Sequence, residues 1–265
     1  MLPLGTLFLL SAVAGLLGLD STGAFQIMVS RPLVVGGVFG CLLGHPGAGL
    51  AAGSLVEMLY MAGLPVGSLV PPDGVAAAAL ASAVAVSLAH ASEVRGAPYA
   101  AEALGLIASV PAGFLGARAE VVQRTLTNRL SRSADADLDA GRMPKVGGLL
   151  ALALGLAWLR GFLVSAFCLD LGLPALAVLL DHLPAAGIHA LHWCFWLFWL
   201  LGMAVATNHF WERRGLKYAA IAALLMALVG ARAAQGQFGV LAAAIGLAMV
   251  SGWWRWTRAR RGEMA

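Results

Sequence analysis

Charge is what this sequence has least of. Of its 265 residues, 11% are Asp, Glu, Lys or Arg and 60% are hydrophobic. An ordinary soluble domain carries about 25% charged residues. A soluble core of this size cannot hide so much apolar surface, so a bilayer must act as the solvent. Strict apolar–polar alternation is missing too. That argues against a membrane β-barrel, because continuous apolar runs span as helices. Only 3 cysteines occur, Cys41, Cys168 and Cys194, all in apolar segments and never as CxxC. A disulfide framework is thereby excluded, leaving small buried hydrophobes. Neither a GxxxxGK[ST] phosphate loop nor a GxSxG elbow is present, so no nucleotide-driven or hydrolytic machinery, catalytic residue or cofactor is expected. The opening MLPLGTLFLLSAVAGLLG lacks a positive leader region and reads as a retained first helix.

The charge that remains is patterned. Net charge is +4, yet the basic residues sit between apolar runs, which is the positive-inside bias of a membrane protein and not a nucleic-acid surface. Arg118, Arg124, Arg129, Arg132, Arg142 and Lys145 mark a cytoplasmic loop over 118–146. Arg213, Arg214 and Lys217 mark a second cytoplasmic stretch. Arg255, Arg258, Arg260 and Arg261 mark a cytoplasmic tail over 255–265. Runs near the ~20 residues a spanning helix needs cover 2–19, 75–90, 100–117, 147–169, 186–206, 218–234 and 238–254. Arg160 interrupts the fourth. Segment 171–180 is too short to span and reads as interfacial or re-entrant. The class is an all-α, polytopic helical membrane protein, one membrane-embedded domain over 1–265. The Trp253, Trp254 and Trp256 cluster suits an aromatic belt at the inner interface, and HWCFWLFW at 192–199 suits a packing or subunit interface.

Residues 32–64 break the pattern. An apolar arm over 33–43 is too short to cross, GHPG at 44–47 reads as a turn, and a second arm runs from 48 to about 63. Two short arms joined by Gly and Pro read as a re-entrant helical hairpin. Such interrupted segments are the sequence mark of a transporter's binding site. Glu57 stands inside the second arm, where a carboxylate costs about 2.5–3.5 kcal/mol even on insertion scales. It is either a packing carboxyl or a ligand-facing one. Asp73, after Pro71 and Pro72, is a candidate N-cap for the helix that begins near Val75 and a candidate ligand acceptor. Arg31, before Pro32, is an interfacial cation or a partner for one of these carboxylates. Gln26 and Asp20 lie in the same polar link. Two metal-like patterns fail. DADLDAG at 135–141 has its Gly one place late for a calcium loop, and His189, His192 and Cys194 lack a fourth ligand. No metal site is expected. On these residues alone a proton-coupled secondary transporter is an open reading.

Arg31-Pro32, Leu43-Gly44, Gly53, Glu57-Met58 and Pro72-Asp73, in that order and spacing, resemble the IIC membrane subunit of the mannose/fructose/sorbose-family sugar phosphotransferase system. SADADLDAG resembles that family's Ala-Asp-rich loop. The resemblance implies a sugar-translocating subunit of the bacterial inner (plasma) membrane, without a phosphorylation site of its own. Its partners would be a IID membrane subunit, cytoplasmic IIA and IIB phosphocarriers, a hexose-like sugar and the lipid bilayer, assembled as a trimer of heterodimers. It further implies that Glu57 and Asp73, with Arg31 and Gln26, line the sugar site. The chain departs from the family pattern at His45, at Pro65 and at Phe25-Gln26, where acidic or amide groups are usual. A sugar other than mannose, or a sensing rather than transporting subunit, would fit those departures.

Overall fold

The computed structural model describes residues 2–24, 26–61, 70–88 and 97–209. The chain divides into two units, Met1–Val205 and Ala206–Ala265; the helical bundle lies in the first. Pro65, the helices expected over 218–234 and 238–254, the basic stretch 212–217 and the tail 255–265 lie outside the described residues. Among those described, every regular element is a helix. They are α1 (Leu4–Thr22), α2 (Pro32–Leu42), α3 (Pro46–Tyr60), α4 (Gly74–Leu88), α5 (Ala97–Asp139), α6 (Val146–His182) and α7 (Ala185–His209). Four contain stretches long and apolar enough to cross a membrane, within α1, α5, α6 and α7. The expected polytopic all-α class holds.

The helical hairpin is present as α2 and α3. Each arm begins with proline, Pro32 and Pro46, at a position where the missing N–H has no helical partner to lose. The turn is closed by His45 N–H donating to Gly40 O at 2.8 Å and Gly44 N–H donating to Cys41 O at 3.2 Å. That pairing needs a left-handed residue after the helix, and Gly44 supplies it with φ +82°. The arms meet along a glycine seam. Gly36 and Gly40 on α2 face Gly49 and Gly53 on α3, and a Cβ at any of the four would meet backbone of the other arm. Two short helices with few large side chains can approach this closely only through such small residues. At 1.5 Å per residue the arms are about 16 and 22 Å long, short of a hydrocarbon core of about 30 Å.

Helix α4, the described part of the run expected over 75–90, is an interior helix: 13 of its 15 residues are buried. Its alanines let α2, α3, α5 and α6 pack around it. Ser82 Oγ donates to Gly49 O of the hairpin at 3.4 Å. Antiparallel to it, α5 brings Gly105 against Ala81 and Val84, and Gly113 and Gly116 against Pro72 and Asp73. Around the outside, α1 and α6 pack through Gly15 and Gly161, with Trp158 Nε1 donating to Ala12 O at 3.3 Å.

Two boundaries differ from expectation. The loop expected over 118–146 is helical as far as Asp139, because α5 continues. Glu120 and Arg124 form an i,i+4 pair at 2.6 Å on the continuing surface. The helix stops only where Gly141, at φ +69°, lets Arg142 N–H return to Asp137 O at 2.8 Å. DADLDAG is therefore a helix end. Likewise 171–180 is not a separate interfacial piece, because α6 runs unbroken to His182 with Pro174 inside it. Asp170 and Asp181, which suggested ends, are exposed on that helix. The aromatic run of α7 packs on α5, with Tyr99 centred 5.1 Å from both His192 and Phe195.

Candidate functional site

The hairpin's open end holds the polar groups. There the end of α1, the link to α2, the mouth of the hairpin and the Pro71–Gly74 turn enclose a cavity of about 300 Å³. It is lined by Asp20, Gln26, Ser30, Arg31, Glu57 and Tyr60, among others. Four of the residues named in the sequence, Glu57, Arg31, Gln26 and Asp20, therefore line one cavity.

Glu57 has two partners. Arg31 Nη1 donates to Oε1 at 3.0 Å, and Leu33 N–H donates to Oε2 at 3.4 Å. The second follows from helix geometry. The first N–H groups of a helix have no internal acceptor, Pro32 has none to offer, and Leu33 is the next. Glu57 thus closes the N-terminus of α2 from across the hairpin, at the positive end of that helix. The pair remains reachable, with Arg31 and Glu57 side chains 47% and 20% exposed. A carboxylate with one oxygen held by a single guanidinium N–H and the other by a backbone N–H is aimed, yet keeps lone pairs free for hydroxyl donors.

Asp20, the other polar-link residue named in the sequence, lines the same cavity and also organises the link. It is buried and accepts from Ile27 N–H at 2.6 Å and from Ser30 N–H and Oγ–H at 3.2 and 3.3 Å. These bonds hold the link in an unusual form, since Gln26 and Met28 have φ of +52° and +69°. Left-handed non-glycine backbone persists only where the surroundings over-determine it, and such places cluster at functional sites. Asp20 is what fixes the wall that carries Gln26, Ser30 and Arg31. Tyr60 lines the cavity on the far side and donates to Ser109 O of α5 at 3.3 Å.

Asp73 does not line this cavity. It caps α4, with Oδ1 accepting from Val75 N–H at 2.9 Å and Ala76 N–H at 3.1 Å, and its own N–H donates to Gly113 O at 2.8 Å. Its side chain, whose Oδ2 stands 3.7 Å from Arg160 Nη1, helps line a smaller adjoining cavity of about 90 Å³ that also meets Glu120 and Arg160. The two cavities share Ser21, Ser30, Pro71, Pro72 and Gly74 as walls. Arg160 and Glu120 were not singled out in the sequence. The signal was available for Arg160: a lone cation in the apolar run 147–169 poses the same question as Glu57. Among the described residues no group of His, Cys, Asp and Glu is arranged to hold a metal. His192 sits in the aromatic cluster, where its Nε2 accepts from Trp196 Nε1 at 3.4 Å.

Comparison with known proteins gives the geometry a family. Residues 4–251 match the family model described as the sorbose-specific IIC component of the PTS system. Two solved structures share the fold. One is a chain in the cryo-EM structure of the mannose transporter ManYZ with microcin E492 (MceA). The match has 20% identity and TM-score 0.52, covering 92% of this chain and 93% of that one. The other is the structure of a membrane protein, at 20% identity and TM-score 0.59, covering 93% of this chain and 96% of that one. A search of curated proteins finds no significant match.

Proposed function

This chain belongs to the family of sorbose-specific IIC components of the sugar phosphotransferase system, and on that premise we propose that the cavity at the open end of the α2–α3 hairpin is its sugar site. The family makes the protein a sugar-transporting membrane subunit. What carries the reading of the site is Glu57, a carboxylate aimed by Arg31 and by the N-terminus of α2 into a polar cavity of about 300 Å³. Carboxylates suit sugars because they accept paired hydrogen bonds from adjacent hydroxyls. Leaving an acceptor unpaired in a dry site is costly, so the site rejects ligands that lack those hydroxyls. Arg31 and Gln26 complete the cavity's polar wall, and Asp73 is reached through the adjoining smaller space.

The hairpin is re-entrant in this reading, entering from the cytoplasmic side. Its open end lies at the end of the bundle where α1 ends and α4 begins. From that same end α5 runs on past Glu120 into a mostly exposed basic stretch. The positive-inside rule places that stretch in the cytoplasm. A sugar held at the mouth would then face the compartment in which a IIB carrier phosphorylates it, with IIA behind it. The chain would work with a IID partner as a hetero-oligomer, a trimer of heterodimers, in a bacterial plasma membrane.

Equilibrium binding of labelled D-mannose, D-fructose and L-sorbose to the purified complex with its IID partner tests it. Glu57→Gln is expected to weaken binding of the preferred sugar at least tenfold while the complex still assembles. Unchanged binding in that variant would overturn the assignment.

A further inference from the structure

Behind the sugar cavity lies a second set of charges that nothing so far uses. Arg160 is buried in the middle of α6, with its side chain 7% exposed. Its Nη1 faces two carboxylates at once, Glu120 Oε2 at 3.0 Å and Asp73 Oδ2 at 3.7 Å. The first is a hydrogen bond and the second is not. Glu120 is in turn held by Arg124, whose Nη2 and Nε donate to Oε1 at 2.6 and 3.1 Å. The guanidinium is also incompletely satisfied, since Nε is buried without a partner. Ions this far from water are expensive, and half-paired ones more so.

From this arrangement we propose that Arg160 and Glu120 are positioning residues for the sugar site: Glu120 draws Arg160 away from Asp73 and so keeps Asp73 Oδ2 open to a sugar hydroxyl. The inference rests on the sugar reading above. Asp73 has one oxygen to spare. Oδ1 is committed to the cap of α4, whereas Oδ2 has only the 3.7 Å approach of Arg160 Nη1, and Asp73 lines the small cavity whose walls are shared with the larger one. Whichever carboxylate Arg160 binds more closely, the other is left with an oxygen to offer. In the structure Glu120 has the closer contact. The competition also has a mechanical side. Asp73 starts α4, Arg160 belongs to α6, and Glu120 stands where α5 leaves the packed bundle for its exposed stretch. A sugar that takes Asp73 Oδ2 leaves Arg160 wholly to Glu120, tightening α6 against that point of α5. Occupancy of the sugar site is thereby coupled to the base of the exposed stretch.

The test is sugar binding by the purified complex with IID, using L-sorbose and D-mannose as probes. Removing the charge at 120 frees Arg160 to close on Asp73. Glu120→Gln is therefore expected to weaken binding about tenfold, although Glu120 lines no part of the larger cavity. Glu120→Asp, which keeps the charge, is expected to lose less. In an Asp73→Asn background Glu120→Gln is expected to take nothing further from sugar binding, whereas an Arg160–Glu120 pair that only supports the bundle would still lower binding there. Arg160→Lys keeps the cation and serves if Glu120→Gln fails to assemble; it is expected to weaken binding only when Asp73 is intact. Wild-type affinity in Glu120→Gln, or losses that simply add in the double variant, would overturn the coupling. If Glu57→Gln still abolishes binding in that case, the sugar site stands without it. If wild-type complex binds neither probe and Glu57→Gln changes nothing with any sugar, the site reading fails and this inference falls with it.

Discussion

Replacing Gly49 by Ala should damage this protein more than so small a change suggests. Gly49 lies in the seam between the hairpin arms. A Cβ there would sit 2.5 Å from Gly40 Cα and 2.7 Å from Gly40 N, and would also press on the carbonyl oxygen of Gly36. Carbon atoms rest in contact at about 3.5–4.0 Å, so the arms must part by about 1 Å. No flexible side chain is available to give way, because the atoms in contact are backbone. Overpacking of this kind costs about 1–3 kcal/mol. The control lies two residues away on the same helix. A Cβ at Gly47 meets nothing within 4 Å, and alanine exceeds glycine in a helix by up to about 1 kcal/mol. Gly47→Ala should therefore be neutral or stabilising, and the two variants should differ by about 2 kcal/mol. Denaturant unfolding of the detergent-solubilised complex, followed by tryptophan fluorescence, measures that difference. The same opening would displace Arg31 from Glu57, so sugar binding should weaken in Gly49→Ala alone. Equal stability of the two variants would refute the close-packed seam.

Other perturbations probe the walls of the site. Asp20→Ala removes the acceptor that holds Ile27 and Ser30, so the strained link should relax and sugar binding should fall at least tenfold; Asp20→Asn should fall less. Gly116→Ala would place a methyl group against the Asp73 side chain, costing about 1–3 kcal/mol and weakening binding, both readable on the purified complex. A cysteine at Met143, which is 91% exposed, should react with an impermeant maleimide in inside-out vesicles and not in intact spheroplasts. Labelling from outside would reverse the topology.

The features legible in the sequence were those that violate a local rule. Gly44 and Pro46 announced the hairpin because a turn between two short arms needs those residue types. Glu57 and Arg31 stood out as lone charges among apolar neighbours, and 26 residues of separation proved to be one hydrogen bond. Asp73 was legible as a cap because capping is decided within three residues. What escaped depends on distant partners. Arg160 looked like an interruption because Glu120 lies 40 residues away and its other neighbour, Asp73, farther still. The exposed continuation of α5 read as a loop because its polarity was taken for a chain break, whereas the helix runs on to Asp139 with those polar residues on its exposed surface. The partners of Asp20 were hidden as well, since two of them are the backbone N–H groups of Ile27 and Ser30 and no side-chain pattern reveals those.

The most direct measurement is phosphoenolpyruvate-dependent phosphorylation of labelled sugars by membranes that hold this chain with its IID partner, supplied with the soluble carriers, beside a Glu57→Gln control. The sugar-site reading requires a phosphorylated product from the wild type that is lost in the control. Equal product from both would contradict a site built on Glu57, and no product from any sugar would contradict transport by phosphorylation.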